Sequence, residues 1–180
     1  MTEINEPTIQ RACHGDPRAF AEVYNAFVAL VFSVAFRISN VREDAEEITQ
    51  EVFVNLFRKF SQFSFLSSLK TWIYRIAVNT ALNARRTNVR EAAKRVLAQQ
   101  SLLLAQAPPQ PDEIIQSEVE VQELLSRLPV EQRVCIVLRN IEGLSYQEIA
   151  ETLQINLNTV RSRLKRAREA LLAWKQGGEE

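Results

Sequence analysis

Apolar residues recur at helical spacing along most of this chain, and strand-type alternation is hard to find. Asp16–Asn40 is rich in Phe and Val and reads as one or two helices. Asn40–Glu43 has the spacing of a capping box, which predicts a new helix start there. On a wheel of about 100° per residue, Ala45, Ile48, Val52, Phe53, Leu56 and Phe60 share one face. Glu47, Gln50, Glu51, Val54 and Arg58 lie opposite, so this helix is amphipathic with a largely acidic outer side. A serine-rich loop, SQFSFLSSL over 61–69, leads into KTWIYRIAVNTALNARR over 70–86. Most of that second segment is apolar around its circumference and is expected to be buried. One narrow polar stripe remains, made of Arg75, Asn79, Asn83 and Arg86 with Trp72 at its edge.

The run APPQPD over 107–112 cannot continue a helix. It divides the chain into an N-terminal unit at 8–88, a linker at 89–117 and a C-terminal unit at 118–175. Val119–Leu128 reads as a helix, and Pro129 fits the first position of the next one, which stops near Gly143. Ser145–Glu148 is a second capping box, opening a short helix to Leu153. Gln154-Ile155-Asn156 makes a tight turn, and Asn156 caps the last helix. The fold class is therefore all-α, with two small helical units.

Charge changes this picture. Lysine and arginine total 22 and aspartate and glutamate total 22, so the chain is neutral. The charges are nonetheless segregated: REDAEEITQE over 42–51 is acidic, Lys70–Arg95 is basic, and TVRSRLKRAR over 159–168 carries five cations without an acid. Separate faces for separate partners account for this better than a uniform surface. Short helix, tight turn and longer helix is helix-turn-helix spacing, with Val160, Leu164, Ala167 and Leu171 facing the core and Ser162, Lys165 and Arg166 facing outward. Arg161, Arg163 and Arg168 lie on the flanks. Residues near the start of such a helix reach base edges, and the flanking cations fix register on phosphates.

Other chemistries are disfavoured. A single histidine, His14, makes a zinc site or a histidine-based triad improbable, and the distant Cys13 and Cys135 indicate a reduced, cytoplasmic chain. No metal motif, paired catalytic carboxylates or phosphate-binding glycine loop is apparent, so neither an enzyme nor a cofactor is expected. Met1–Pro7 is polar and acidic, unlike a signal peptide, and the apolar run Ala26–Phe36 is too short to span a bilayer. By themselves the residues leave open an ordinary helix-turn-helix regulator whose N-terminal helices bind a ligand or dimerise.

A resemblance narrows the choice. Asp44–Arg86, beginning DAEEITQEVFVNLFRKF, resembles region 2 of bacterial sigma factors, and Leu128–Leu171, containing LSYQEIAETLQINLNTVRSRLKRAREAL, resembles their region 4. Two such regions joined by a short linker are similar to the extracytoplasmic-function class. The resemblance implies that Asp44, Glu47, Gln50, Glu51 and Arg58 dock on the clamp helices of the largest subunit of core RNA polymerase. It implies that Phe63, Phe65, Ser67, Ser68, Lys70, Trp72, Arg75, Asn79 and Arg86 serve the −10 element, where a base is flipped into the loop. It assigns Tyr146, Asn158, Thr159, Arg161, Ser162, Arg163, Lys165 and Arg166 to the −35 element. It further implies an anti-sigma factor as partner, and the shortness of Ala26–Phe36 makes no membrane insertion the expectation. The chain departs from the usual pattern at Phe65 and Leu66, where Gly and Glu are common, and at Gln154 and Asn158, where Gly is common. Strain is expected at Gln154.

Overall fold

The computed structural model describes residues 4–98 and 116–177. Every regular element among them is helical. Helix α1, Glu6–Cys13, is an element the periodicity did not reveal; Asn5 caps it by accepting the Thr8 N–H at 2.9 Å. Helix α2, Pro17–Ser39, is one helix rather than two. Asp16 caps it through the Arg18 N–H at 2.9 Å, and Pro17 occupies its first turn, where no N–H is needed. Helix α3 spans Arg42–Lys59 and continues into a 3₁₀ turn, Phe60–Gln62. Helix α4 runs from Leu69 to Ala98. The segment APPQPD lies outside the described residues.

The capping box expected at Asn40–Glu43 does not form. Asn40 has φ 65°, in the left-handed region, and its N–H bonds Phe36 O at 2.8 Å to close α2. An N-cap needs extended backbone, so a residue already turned left-handed to end one helix cannot open the next. Val41 takes that position with no side-chain cap.

Helix α5 is Gln116–Arg127 and α6 is Val130–Ile136, with Pro129 at the N-cap, one residue earlier than expected. A π-helical turn, Val137–Ile141, widens the end of α6 before Gly143, whose φ of 76° suits glycine. Helix α7 is Tyr146–Leu153 and α8 is Leu157–Gly177.

In the N-terminal half, α2, α3 and α4 pack against one another over Val31, Val34, Ile38, Ile48, Val52, Leu56, Ile73 and Val78, all buried. Helix α2 is long and apolar enough to cross a bilayer by composition alone, yet here Ala19, Val23, Val31, Val34, Ala35 and Ile38 form part of this core. In the C-terminal half, α6 and α7 pack on α8 around Leu128, Val134, Leu138, Ile149, Val160 and Leu164. The expected core face of α8 holds for Val160, Leu164 and Ala167, while Leu171 is half-buried.

The two halves touch: α7 lies on α4, and α5 and α6 meet α2. Arg133 is 2% exposed, and its guanidinium donates to Ile38 O at 3.0 Å, Ser126 O at 2.7 Å and Leu128 O at 3.2 Å. Burial, with the Arg85 charge adding to it, pulls that guanidinium down to about 10. Tyr74, wholly buried on α4, donates its hydroxyl to Glu142. Burial first, then that bond and the Glu142 charge, pushes the phenol far above its ordinary range.

Candidate nucleic-acid and protein interfaces

The outer face of α3 is as expected: Glu47, Gln50, Glu51, Val54 and Arg58 are exposed. Asp44 is half-buried and accepts the Asn88 amide at 3.2 Å, at the edge of a cleft where Glu47 and Glu51 face Asn83 and Thr87. The sequence did not single out an aromatic extension of this face. Phe57 is 56% and Tyr24 42% exposed, next to Val54 at 48%. Phe57 stands edge-on to Phe20, centroids 5.1 Å apart, and Tyr24 lies 4.6 Å from Phe53. Acids bordering an aliphatic and aromatic ridge suit a partner helix that is itself apolar and basic.

At the 60–72 turn an aromatic cluster shapes the surface. Phe63 is buried, 5.2 Å from Trp72 and 4.8 Å from Phe65, while Trp72 meets Phe60 edge-on at 5.5 Å. Phe63 and the half-buried Trp72 therefore support the loop from within. Phe65 has φ 59°, a strained conformation for a bulky residue, and it leaves Leu66 92% exposed at the tip. Ser67 is half-buried; Ser68 accepts the Thr71 N–H at 3.0 Å and so caps the first turn of α4.

Along α4 the stripe is assembled as expected. Asn79 and Arg86 are exposed, and Arg75 is half-buried beside them. Lys70 is not part of it. Its ammonium lies 5.5 Å from the Tyr74 ring centroid, towards the C-terminal half, because position 70 is nearly opposite 72, 75 and 79 on the wheel.

The helix-turn-helix is built as read. Ser145 Oγ accepts the Glu148 N–H at 3.2 Å, and Glu148 Oε2 accepts the Ser145 N–H at 2.7 Å. That backbone bond, then the Ser145 side chain, holds the Glu148 carboxyl below its usual range, with Lys70 adding to the effect. A depressed carboxylate stabilises the fold above its unfolded pKa of about 4.3, and the gain is lost as pH falls through the folded value. Glu148→Ala is thus expected to lower stability by about 1 kcal/mol at pH 7. Thermal unfolding of the full chain followed down in pH should show wild type and variant converging in acid.

Gln154 has φ 53°, the left-handed conformation in which strain was expected. Asn156 Oδ1 accepts the Thr159 N–H at 2.8 Å and the Thr159 hydroxyl at 3.0 Å, capping α8. Arg161, Ser162, Lys165, Arg166 and Arg168 are exposed. Asn158 is exposed and accepts from Arg161 at 3.3 Å, and Ser162 bonds back to Thr159 O at 3.0 Å. The pair Lys165–Glu169, 3.7 Å apart and well exposed, holds Lys165 only weakly.

Three expected contacts sit further in. Thr159 is half-buried and engaged by the cap. Arg163 is half-buried and turned to Cys135, whose thiol burial pushes up to about 11 against the pull of that guanidinium. Tyr146 packs under Arg139, 5.2 Å from cation to ring, and its hydroxyl accepts from Arg168 at 3.3 Å. Among the described residues no cluster of His, Cys, Asp and Glu is arranged to hold a metal ion.

Known proteins resemble this chain in both halves. Residues 23–91 match sigma-70 region 2, and residues 118–171 match sigma-70, region 4. The RNA polymerase sigma-H factor of Pseudomonas aeruginosa is 31% identical, over 94% of this chain and 92% of its own. The ECF RNA polymerase sigma-E factor of Escherichia coli K12 is 33% identical, over 91% and 90%. SigW of Bacillus subtilis is 30% identical, over 95% and 96%. Two solved structures share the fold. One is CnrH in complex with the cytosolic domain of CnrY, with TM-score 0.71 and 23% identity over 97% of this chain and 99% of that one. The other is the sigma factor RpoE of Bartonella quintana in complex with the anti-sigma factor NepR, with TM-score 0.70 and 24% identity over 87% and 96%. With both regions matched in order and relatives aligned over nearly their full length, the chain belongs to the sigma-70 family, among its extracytoplasmic-function RNA polymerase sigma factors.

Proposed function

We propose that this sigma factor works through three surfaces with one task each. The acidic face of α3, extended by Val54, Phe57 and Tyr24, docks on the clamp helices of the largest polymerase subunit. The loop carrying Phe65 and Leu66, with the stripe Trp72, Arg75, Asn79 and Arg86, holds the −10 strand once it is melted. Stacking and phosphate neutralisation suit single-stranded DNA, and unstacking a base costs a few kcal/mol that capture must return. Arg161, Ser162, Lys165 and Arg166 enter the major groove at the −35 element, with Arg168 on the backbone.

In this reading residues 8–88 and 118–175 are the working domains, the chain carries out no chemistry of its own, and it acts in the cytoplasm under an anti-sigma factor. The observation that carries the reading is the exposure, on one neutral chain, of a cationic recognition helix and an acidic, aromatic α3 face. A neutral chain gains little from phosphate neutralisation as a whole, so DNA affinity must be supplied locally and by the polymerase.

Run-off transcription with core polymerase on a randomised promoter library tests this. Enrichment of two separated elements supports the reading. Transcripts independent of sequence, or none beyond core alone, refute it.

A further inference from the structure

Leu66 is more exposed, at 92%, than any other large apolar side chain among the described residues. A leucine held in water adds nothing to the stability of the fold, and the turn that holds it there is costly. Phe65 stands in the left-handed region at φ 59°, a strained conformation for a bulky residue. Such strain persists only where the surroundings impose it, and it gathers at functional sites. Here the surroundings are aromatic. Phe65 lies 4.8 Å from Phe63, Phe63 lies 5.2 Å from Trp72, and Trp72 meets Phe60 edge-on at 5.5 Å. Phe60 and Phe63 are buried, so this train of rings anchors the turn in the core. On the other side of the tip, Ser68 accepts the Thr71 N–H at 3.0 Å and shares a hydrogen bond with the Thr71 hydroxyl at 2.8 Å, fixing where α4 begins. Leu66 is thus an apolar point on a braced base.

Its surroundings fit nucleic acid better than protein. No Asp or Glu occurs between Glu51 and Glu91. Ser64, Phe65 and Ser68 are exposed around the tip, and the contact of Phe63 with Trp72 sets it at the N-terminal end of the stripe Trp72, Arg75, Asn79 and Arg86. Proteins part stacked base pairs with this combination: an apolar side chain enters a base step while cations and hydroxyls beside it hold the backbone. Burying a leucine between bases returns free energy of the same order as unstacking one step costs.

We infer that Leu66 is a wedge that enters the stacked duplex at the −10 element and starts its separation, with Phe65 as the positioning residue that aims it. This rests on the functional reading above and adds an earlier step to it. There the loop holds a strand already melted; here its tip acts while the strands are still paired. The aromatic and cationic stripe then keeps the strand that the wedge has freed. A side chain whose main work is on paired DNA matters little once the DNA is open, and this separates Leu66 from residues that capture a base.

The test uses holoenzyme assembled from the full chain and core polymerase, on one promoter selected by wild type from the randomised library. Initiation rates are measured on that promoter as intact duplex and with a mismatched bubble across the −10 element. Leu66→Ser should initiate about tenfold more slowly than wild type on the duplex, and the bubble should remove most of that deficit. Leu66→Met keeps an apolar tip of similar volume and should stay within about twofold of wild type on both templates. Both change an exposed side chain, and helical circular dichroism should match wild type. Phe65→Gly adopts the left-handed turn without strain but frees the tip, so it should slow duplex initiation without lowering thermal stability. A wild-type duplex rate in Leu66→Ser, or a deficit equally large on the bubble, overturns the wedge. Weaker binding of Leu66→Ser to core polymerase makes the tip a protein contact and overturns it as well. A wild-type duplex rate in Phe65→Gly removes the aiming role. Wild type that initiates on neither template refutes the functional reading and the wedge with it, whereas wild type active on both leaves that reading standing whatever Leu66→Ser does.

Discussion

Reversing two charges on α3, as Glu47→Lys with Glu51→Lys, should weaken association with core polymerase about 10- to 100-fold, roughly 1.4–2.8 kcal/mol. Both carboxylates are exposed on the outward face of a helix whose other side is buried through Ala45, Ile48, Val52 and Leu56. The substitutions therefore leave the core packing alone. They replace attraction by repulsion towards a cationic partner, and like-charge juxtaposition across an interface is costly. Phe57→Ala is expected to add to the loss without changing its salt dependence, because a 56% exposed ring contributes apolar area and no charge. Fluorescence titration of labelled protein with core at two salt concentrations measures both effects. The charge reversals should matter less at high salt, where exposed charges are screened.

The second large effect belongs to α8. Arg166→Ala should weaken −35-dependent initiation by about 1–3 kcal/mol, roughly 5- to 150-fold, and relax preference at one base pair. Arg166 is exposed on the side opposite Val160, Leu164 and Ala167, which are wholly buried and fix the helix's rotation. By contrast Arg163→Ala should do less to DNA recognition, since that side chain is half-buried against Cys135. Library transcription with each variant separates the two. An unchanged −35 preference in Arg166→Ala removes that residue from base reading.

Legibility in the sequence followed the range of the interaction. The Ser145–Glu148 capping box and the Asn156 cap are local, so their spacing alone located the helix-turn-helix. The buried face of α3 followed from its period. Asn40 misled because Asn favours both N-caps and left-handed C-caps, and only the packing of α2 decides between them. Phe63 and Tyr146 are side chains whose type suits a DNA contact, and tertiary neighbours turned them inward or sideways. Helix α1 was marked by Asn5 and Pro7 but is too short to show a period. The seam between the halves left no trace, since Arg133 meets Ile38 across 95 positions and Tyr74 meets Glu142 across 68. Pairs that distant have no periodic signature.

One equilibrium measurement reaches the centre of this account: titration of the purified chain, free of any inhibitory protein, into core RNA polymerase. A saturable one-to-one complex that also confers promoter-dependent initiation is the predicted result. Absence of saturable association at micromolar concentrations would contradict it.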